Sequence, residues 1–425
     1  MTIETIQDLH ELGKAAQKAA RDLARRSTED KNRVLLNLAW LLRSDQADVL
    51  AANTLDYQEA KSEGLEESML DRLLLTNDRL NSTADEIERV AGLPNPIGEV
   101  IETSSLPNGL VTSRRRVPLG VVGSIYESRP NVTIDIFGLC LKSGNACILR
   151  GGKETIRSNT ALHAMIRKAL SDAGVTVDAV QFVDNPDRGL VDAMLKMDSY
   201  IDLLVPRGGA SLVKFVAENA TMPAVTGGIG VCHTYVDRSA DLTMAAEIVH
   251  NAKVRRPSIC NALDTVLVHA EVAVEGLPMI AKGLTASGVE LRCDNRSLSI
   301  LGPEGSDGTI PANEDDWGRE FLSLTAAVKV VDSLEDALNH IESYGSGHSE
   351  AIITEDDKAA TRFLDEVDAA AVYVNASTQF TDGGQFGLGA EVGISTQKFH
   401  ARGPMGLKEL TSYKWVVLGK GQVRP

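Results

Sequence analysis

Cys260 is the residue of this chain whose surroundings best suit nucleophilic chemistry. It follows Arg255 and Arg256 closely, and an apolar, strand-like run from 263 to 269 comes after it. A thiol attacks as its thiolate, and nearby cations favour that form by lowering the pKa of the thiol. The alternative is a small buried hydrophobe, which is the better prediction for the other four cysteines: Cys140, Cys147, Cys232 and Cys293.

Two glycine-containing turns are suited to binding the phosphates of a nucleotide. Glycines let the backbone approach a ligand closely, helix N-termini favour phosphate, and basic side chains add charged hydrogen bonds. The alternative is two ordinary turns with solvated charges, since the sequence lacks the GxGxxG fingerprint of dinucleotide-binding folds. Each turn follows a predicted strand and precedes a predicted helix: Arg150-Gly151-Gly152-Lys153 and Pro206-Arg207-Gly208-Gly209.

Predicted strands and helices alternate from Val117 onward, in two series. This alternation predicts an α/β fold with parallel sheets, whose ligands bind at the carboxyl ends of the strands. The first series has strands at 119–126, 146–150, 180–184 and 201–205, with helices at 133–142 and 155–173 among them. The second has strands at 265–269, 327–331, 351–354 and 371–375, and helices at 241–254, 276–287 and from Ser333.

Other segments flank these series. Residues 3–64 have the apolar spacing of amphipathic helices, with a candidate capping box from Ser27 to Asp30. Asn108-Gly109 lies between two strand-like runs and predicts a hairpin. The charged run 114–116 fits either a solvated strand edge or an arm that contacts another subunit.

Composition excludes several functional classes. The chain has 425 residues, of which 43% are hydrophobic, and a net charge of −16, which argues against nucleic-acid or membrane-surface partners. Its five cysteines show no metal-ligand spacing and neither do its dispersed histidines, so no metal site is predicted. The sequence begins without an apolar signal segment, and no apolar stretch reaches membrane-spanning length, which together predict a reducing cytoplasm.

Three long runs of the chain closely resemble the γ-glutamyl phosphate reductase family of the aldehyde dehydrogenase superfamily. They are Val117–Glu154, Lys253–His269 and Val372–Trp415. The resemblance implies two parallel-sheet α/β domains of Rossmann type plus a small β oligomerisation element in a homo-oligomer. It places an NADP(H)-binding domain in 1–100 and 118–229, a catalytic domain in 230–408, and an oligomerisation arm in 101–117 and 409–425.

The activity that the resemblance implies is the second step of proline biosynthesis. NADPH would reduce the small-molecule substrate L-γ-glutamyl 5-phosphate to L-glutamate 5-semialdehyde and phosphate through a cysteine thioester. An upstream γ-glutamyl kinase would be a potential partner. The rival hypotheses are a related thiol enzyme acting on another acyl phosphate or an acyl-CoA, and a non-catalytic interaction protein with the same fold.

The resemblance also assigns residue roles. Cys260 would be the nucleophile, and Asn131 would donate to the carbonyl oxygen as it gains charge. The alternative for Asn131 is a helix N-cap, and one residue could fill both roles. Lys153 would bind the 2′-phosphate that distinguishes NADP(H) from NAD(H), and Glu320 would bind the nicotinamide ribose. The other residues assigned to the cofactor are Arg150, Gly152, Pro206, Arg207, Gly208 and Gly209. Glu320 has a solvated surface carboxylate as its alternative.

Substrate contacts are predicted by position and chemistry. Ser377 and Thr378 are candidates for the polar clamp on the amino-acid end of the substrate. Arg129, Arg256 and Arg402 could hold the departing phosphate through paired hydrogen bonds. The stretch 225–228 lacks the carboxylate with which general aldehyde dehydrogenases activate water, so Thr226→Glu is expected to raise hydrolysis of the acyl-enzyme.

Overall fold

The computed structural model describes residues 3–225, 227, 230–302 and 308–424. The chain forms two compact units. Unit 1 comprises Met1–Thr226, Gly387–Gly393 and Met405–Pro425, and unit 2 comprises Gly227–Phe386 and Ile394–Pro404.

Unit 1 begins with helices whose ends are set by local hydrogen bonds. Thr5 and Asp8 form a reciprocal capping box at the first helix. Ser27 caps the second helix by accepting a hydrogen bond from the backbone N–H of Asp30. Their buried faces carry leucine, valine and alanine, as the apolar spacing predicted. The five helices are α1 (Ile6–Leu23), α2 (Thr28–Ser44), α3 (Ala47–Ser62), α4 (Glu67–Leu73) and α5 (Asn77–Gly92).

The predicted hairpin follows. Strands β1 (Val100–Ser105) and β2 (Val111–Pro118) pair antiparallel. Gly109 in their connection has a φ of +83°, a conformation that glycine adopts without a steric penalty. The hairpin predicted from Asn108-Gly109 is therefore confirmed.

A parallel four-stranded sheet forms the centre of unit 1, with strand order β5-β4-β3-β6. Every residue of β3 is buried, as expected for a central strand covered on both faces. The elements are β3 (Val121–Tyr126), α6 (Asn131–Lys142), β4 (Ala146–Arg150), α7 (Ile156–Asp172), β5 (Val180–Phe182), α8 (Arg188–Met194), β6 (Leu203–Arg207) and α9 (Ala210–Asn219).

Unit 2 is built on a seven-stranded parallel sheet of order β10-β9-β11-β8-β7-β12-β13. Two-residue strands β14 and β15 form a separate pair. The elements are β7 (Cys232–Val236), α10 (Leu242–Val254), β8 (Leu263–His269), α11 (Ala270–Ala286), β9 (Glu290–Cys293), α12 (Asn295–Leu301), β10 (Thr309–Pro311), β11 (Thr325–Val331), α13 (Leu334–Tyr344), β12 (Ser349–Ile353), α14 (Asp357–Glu366), β13 (Ala371–Val374), β14 (Ile394–Ser395) and β15 (Gly403–Pro404).

A last strand, β16 (Thr411–Leu418), returns to unit 1 and pairs antiparallel with β2. The resulting sheet has the order β1-β2-β16. Three alternate residues of β16 expose large apolar side chains: Tyr413, Trp415 and Val417. Arg114 on β2 lies over the rings of Tyr413 and Trp415, at 4.9 and 5.9 Å from their centroids.

The predicted α/β class with parallel sheets is confirmed. The start predicted for one helix, Gly276, is wrong, because α11 begins at Ala270 and contains Pro278 in its interior. Its N-cap is His269, whose ring nitrogen Nδ1 accepts from the backbone N–H of Glu271. Among the described residues, no helix combines the length and apolarity needed to cross a membrane.

Candidate functional site

Cys260 lies in the loop between α10 and β8 and is half-buried, whereas the other four cysteines are buried. Gly230 packs against its main chain. A Cβ at Gly230 would lie 1.9 Å from the carbonyl oxygen of Cys260, so no side chain fits there without moving the loop. The backbone of Cys260 is therefore in direct contact with the backbone of Gly230.

Cys232 supports the same loop from within unit 2. Its Sγ lies 3.3 Å from the carbonyl oxygen of Cys260 and donates to it. Complete burial raises the pKa of the Cys232 thiol well above its usual range. Cys232 accordingly remains a protonated donor.

Two predicted substrate residues, Ser377 and Thr378, are buried and bonded to their own chain. The hydroxyl of Thr378 donates to the carbonyl oxygen of Asn261 at 2.8 Å. The Nδ2 of Asn261 donates to the carbonyl oxygen of Thr381 at 2.9 Å, which clamps the residue that follows Cys260. Ser377 Oγ accepts from the backbone N–H of Gln379. Their contact with substrate stays a prediction.

Glu320 is half-buried and tied to the segment beneath Cys260. Its Oε1 accepts from the backbone N–H of Gly230 at 3.0 Å. Burial raises the pKa of the Glu320 carboxyl, and the hydrogen bond from Gly230 opposes that rise. This geometry contradicts the alternative of a freely solvated surface carboxylate.

A buried ion pair, Lys253 and Asp264, flanks Cys260 in the chain, and Asp264 contacts the residue that follows Glu320. Lys253 Nζ is 3.6 Å from Asp264 Oδ1 and donates to the carbonyl oxygen of Leu263 at 2.8 Å. Asp264 accepts from the backbone N–H groups of Phe321 at 3.0 Å and Cys232 at 3.4 Å. Sequence reasoning missed this pair, although two charges in apolar elements were a signal for it.

In unit 1, Asn131 is the first residue of α6. Pro130 occupies the N-cap position, so the alternative role of Asn131 as a helix cap is wrong. Its Nδ2 donates to Asp135 Oδ2 at 2.9 Å. Burial, and then the nearby charge of Glu86, raise the pKa of Asp135 to about 7, while Arg207 and Asn131 oppose the shift.

The first glycine turn is bordered by charges that are already paired. Arg150 ends β4 and donates to the carbonyl oxygen of Pro186 at 3.0 Å. Lys153 is exposed and its Nζ lies 3.0 Å from Glu63 Oε2. The carboxylate of Glu154 accepts from the backbone and hydroxyl of Ser128, both at 2.7 Å. A Cβ at Gly152 would meet Glu154 Oε1 at 2.2 Å, so a larger residue there would displace the Glu154 carboxylate from Ser128.

The second glycine turn already holds an anion. Pro206 and Arg207 end β6, and Gly209 is the N-cap of α9. The backbone N–H of Gly209 donates to Glu127 Oε2 at 3.0 Å. A Cβ at Gly208 would lie 2.4 Å from that same oxygen. The bound carboxylate shows that this helix N-terminus accepts negative charge, and sequence reasoning missed Glu127.

The three arginines predicted at the phosphate occupy different environments. Arg129 is half-buried between β3 and α6, and Arg256 is exposed in the loop before Cys260. Arg402 is held by Asp368: NH1 donates to the carboxylate at 2.6 Å and NH2 to the carbonyl oxygen at 3.0 Å. A role of Arg402 at a phosphate would require it to share or leave Asp368.

Two sequence predictions remain: the stretch 225–228 without a catalytic base, and the lack of a metal site. Thr226 and Gly228, from the stretch without a base, lie outside the described residues. Within the described ranges, no group of three or more histidine, cysteine or acidic residues is arranged to hold a metal ion.

Comparison with known proteins identifies the family. Residues 2–297 match the model of the aldehyde dehydrogenase family. The chain is 53% identical to γ-glutamyl phosphate reductase of Dehalococcoides mccartyi over 99% of both chains, and 54% identical to that of Roseiflexus castenholzii over 98% of this chain and 99% of the relative.

A solved structure gives the same result. The crystal structure of γ-glutamyl phosphate reductase from Thermotoga maritima is 46% identical, covers 98% of this chain and 100% of its own, and has a TM-score of 0.95. The high identity over nearly complete chains and the shared fold agree. The chain therefore belongs to the aldehyde dehydrogenase family and, within it, to the γ-glutamyl phosphate reductases.

Proposed function

We propose that the chain catalyses the NADPH-dependent reduction of L-γ-glutamyl 5-phosphate to L-glutamate 5-semialdehyde and phosphate, in proline biosynthesis. Membership of the γ-glutamyl phosphate reductases supports the reaction. The observation that carries the mechanism is the half-buried thiol of Cys260, on a loop supported by Gly230 and Cys232, while the other cysteines are buried.

Cys260 supplies the nucleophile. Its thiolate attacks the acyl carbon, the C–O bond to phosphate breaks, and a γ-glutamyl thioester remains on Sγ. After reduction, the carbonyl oxygen returns its electron pair to carbon, the C–S bond breaks, and aldehyde and thiolate are released. Asn131 and the backbone N–H of Cys260 would donate to that oxygen while it is negatively charged.

Residues of unit 1 are suited to a nicotinamide cofactor. Gly208 and Gly209 present an anion-accepting helix N-terminus, at present bonded to Glu127. Arg150, Gly152 and Lys153 would bind the adenosine side, where the exposed cation of Lys153 favours a 2′-phosphate and hence NADP(H). Pro206 and Arg207 would lie towards the nicotinamide, and Glu320 would accept from its ribose. The bound cofactor supplies the hydride that reduces the thioester.

The remaining polar side chains would orient the substrate. Arg129, Arg256 and Arg402 carry the charge that a leaving phosphate needs, and Ser377 and Thr378 carry hydroxyls for the amino-acid end. The hydrogen bonds of Arg402 to Asp368 and of Thr378 to Asn261 make these two the weakest candidates.

The proposed assembly is a homo-oligomer in the cytoplasm. Residues 1–100 and 118–229 would bind NADP(H), and 230–408 would carry the chemistry. Residues 101–117 and 409–425 would form the arm that contacts another subunit, since the β1-β2-β16 sheet exposes Trp415, Val417 and Leu418. An upstream γ-glutamyl kinase that makes the labile acyl phosphate is a proposed partner.

The reverse reaction tests the proposal. Purified protein is given glutamate 5-semialdehyde and NADP⁺, with and without inorganic phosphate, and NADPH formation is measured. We expect phosphate-dependent activity, lost in Cys260→Ser. Activity that requires CoA instead of phosphate would point to an acyl-CoA reductase, and inactivity with both would contradict the proposal.

A further inference from the structure

We propose that Asp264, paired with Lys253, is a positioning residue that fixes the support of the Cys260 loop and the Glu320 segment relative to each other. The inference rests on the proposed roles of Cys260 and Glu320. It adds a residue pair that contacts neither the substrate nor the cofactor in that scheme and acts through the backbone.

The two oxygens of Asp264 hold different segments of unit 2. Oδ1 accepts from the backbone N–H of Phe321, the residue after Glu320. Oδ2 accepts from the backbone N–H of Cys232, whose own thiol donates to the carbonyl oxygen of Cys260. One carboxylate therefore connects the proposed ribose-binding segment to the support of the nucleophile.

Lys253 adds a third segment. It is in the last turn of α10, from which the chain enters the Cys260 loop, and it donates to the carbonyl oxygen of Leu263 where β8 begins. Both ends of that loop are thus held by one ammonium group and its partner Asp264. The loop is closed at its base while Cys260 remains half-buried.

A second connection completes a ring of contacts. Glu320 accepts from the backbone N–H of Gly230, and Gly230 packs against the main chain of Cys260. Glu320 and Cys260 are consequently joined twice, through Gly230 and through the path from Phe321 by Asp264 to Cys232. A carboxylate that turned or withdrew would loosen both residues together.

Stability alone does not account for this pair. The side chains of Lys253 and Asp264 are 0% and 2% exposed, and burying two charges costs much of what their attraction returns. Apolar residues of similar volume in place of such a pair are often neutral or stabilising. Activity per folded molecule after a substitution of that kind therefore separates positioning from folding.

The test is the double variant Lys253→Met/Asp264→Leu, with Asp237→Asn as the matched control. Asp237 is also a buried carboxylate of unit 2, but its partners are Tyr235, Ser239 and Thr354. We expect the double variant to fold with a lowered melting temperature, because the N–H groups of Cys232 and Phe321 and the carbonyl oxygen of Leu263 lose their partners. Its activity per folded molecule in the phosphate-dependent assay should fall by roughly 100-fold, because displaced reacting groups slow catalysis steeply. The control is expected to retain activity.

Hydrogen exchange without substrate or cofactor gives an independent readout. Peptides containing the amides of Cys232 and Phe321 should exchange faster in the double variant, since both lose their acceptor. Wild-type activity per folded molecule in the double variant would overturn the inference, whatever the exchange rates. An inactive wild type would instead contradict the proposed function.

Asp264→Asn provides the test if the double variant fails to fold. The amide oxygen of the new asparagine can lie near Lys253 and still accept from the backbone N–H of Phe321. Its NH₂ group then faces the backbone N–H of Cys232, which loses its acceptor. We expect kcat to fall by about tenfold while KM for NADP⁺ changes little, because the Cys260 side is the one disturbed. An unchanged kcat, or a fall in proportion to the unfolded fraction, would overturn the inference.

Discussion

Thr378 illustrates how a residue selected for binding can act through the backbone. Its hydroxyl donates to the carbonyl oxygen of Asn261, next to Cys260, and it is completely buried. A substrate-clamping hydroxyl and a loop-holding hydroxyl predict different kinetics. The distinction can be measured with two substitutions.

Thr378→Val should lower kcat more than it raises KM for the substrate, because it removes a donor and leaves the oxygen of Asn261 unpaired. We expect a loss of about 1–3 kcal/mol in the free energy of unfolding, measured by urea denaturation. Thr378→Ser, which keeps the hydroxyl, is the control. A large rise in KM with normal kcat would favour direct substrate contact.

Lys153 gives a second prediction at the residue scale. Lys153→Met should raise KM for NADP⁺ roughly tenfold and leave KM for NAD⁺ unchanged, because a charged hydrogen bond to the 2′-phosphate is lost. Lys168→Met is the matched control, since Lys168 is an exposed lysine of unit 1 with a carboxylate partner, Asp45. Equal effects on both cofactors would show that Lys153 does not distinguish them.

At the scale of elements, features set by local sequence pattern could be predicted, whereas features set by long-range contacts could not. Leu35, Leu38 and Leu42 repeat along one buried helix face, so α2 could be predicted from spacing alone. Cys260 could be predicted as the nucleophile from the two arginines that precede it in the sequence. Asp264 could not be predicted as a connector, because its partner Phe321 is distant in the chain and belongs to an irregular segment.

Helix α11 shows a different limit. Proline is most common in the first turn of a helix, where its missing N–H costs nothing, so Pro278 favours a helix start close to it in the chain. The helix nevertheless extends back to Ala270, and its buried residues belong to the same apolar core as those of α10. Tertiary packing thus outweighs the local penalty.

The exposed face of β16 carries the element-scale prediction. Val417→Asp should dissociate the proposed oligomer, because a carboxylate buried at an interface without a partner is strongly unfavourable. Sedimentation velocity would report a smaller species. Leu36→Asp is the control, since Leu36 is equally apolar and 50% exposed but lies on α2. An unchanged mass for Val417→Asp would remove this strand from the interface.

At the scale of the whole molecule, the charge of −16 includes a carboxyl that folding disfavours in its ionised form. The pKa of Asp135 rises to about 7, chiefly through burial. A group whose pKa is raised on folding stabilises the protein fully at low pH and loses that contribution as pH rises through its folded pKa. Ionisation of Asp135 therefore lowers stability between about pH 4 and pH 7.

Asp135→Asn should stabilise the protein at pH 8, by on the order of 4 kcal/mol, with a gain that vanishes towards pH 4. The amide oxygen can still accept from Asn131. Urea denaturation from pH 4 to 8 measures the difference. Glu86→Gln should move the transition to lower pH, because Glu86 contributes to the raised pKa. A gain independent of pH would contradict the assignment.

The pairing of β16 with β2 has a consequence for synthesis on the ribosome. Val111 pairs with Leu418, so the hairpin emerges long before the strand that completes its sheet. Until then the edge of β2 offers unpaired backbone groups to other nascent chains. Arg114 and Arg116 pair with Glu102 and Glu99 of the same segment, and Arg115 adds a charge to β2 that would keep neighbouring hairpins on a polysome apart.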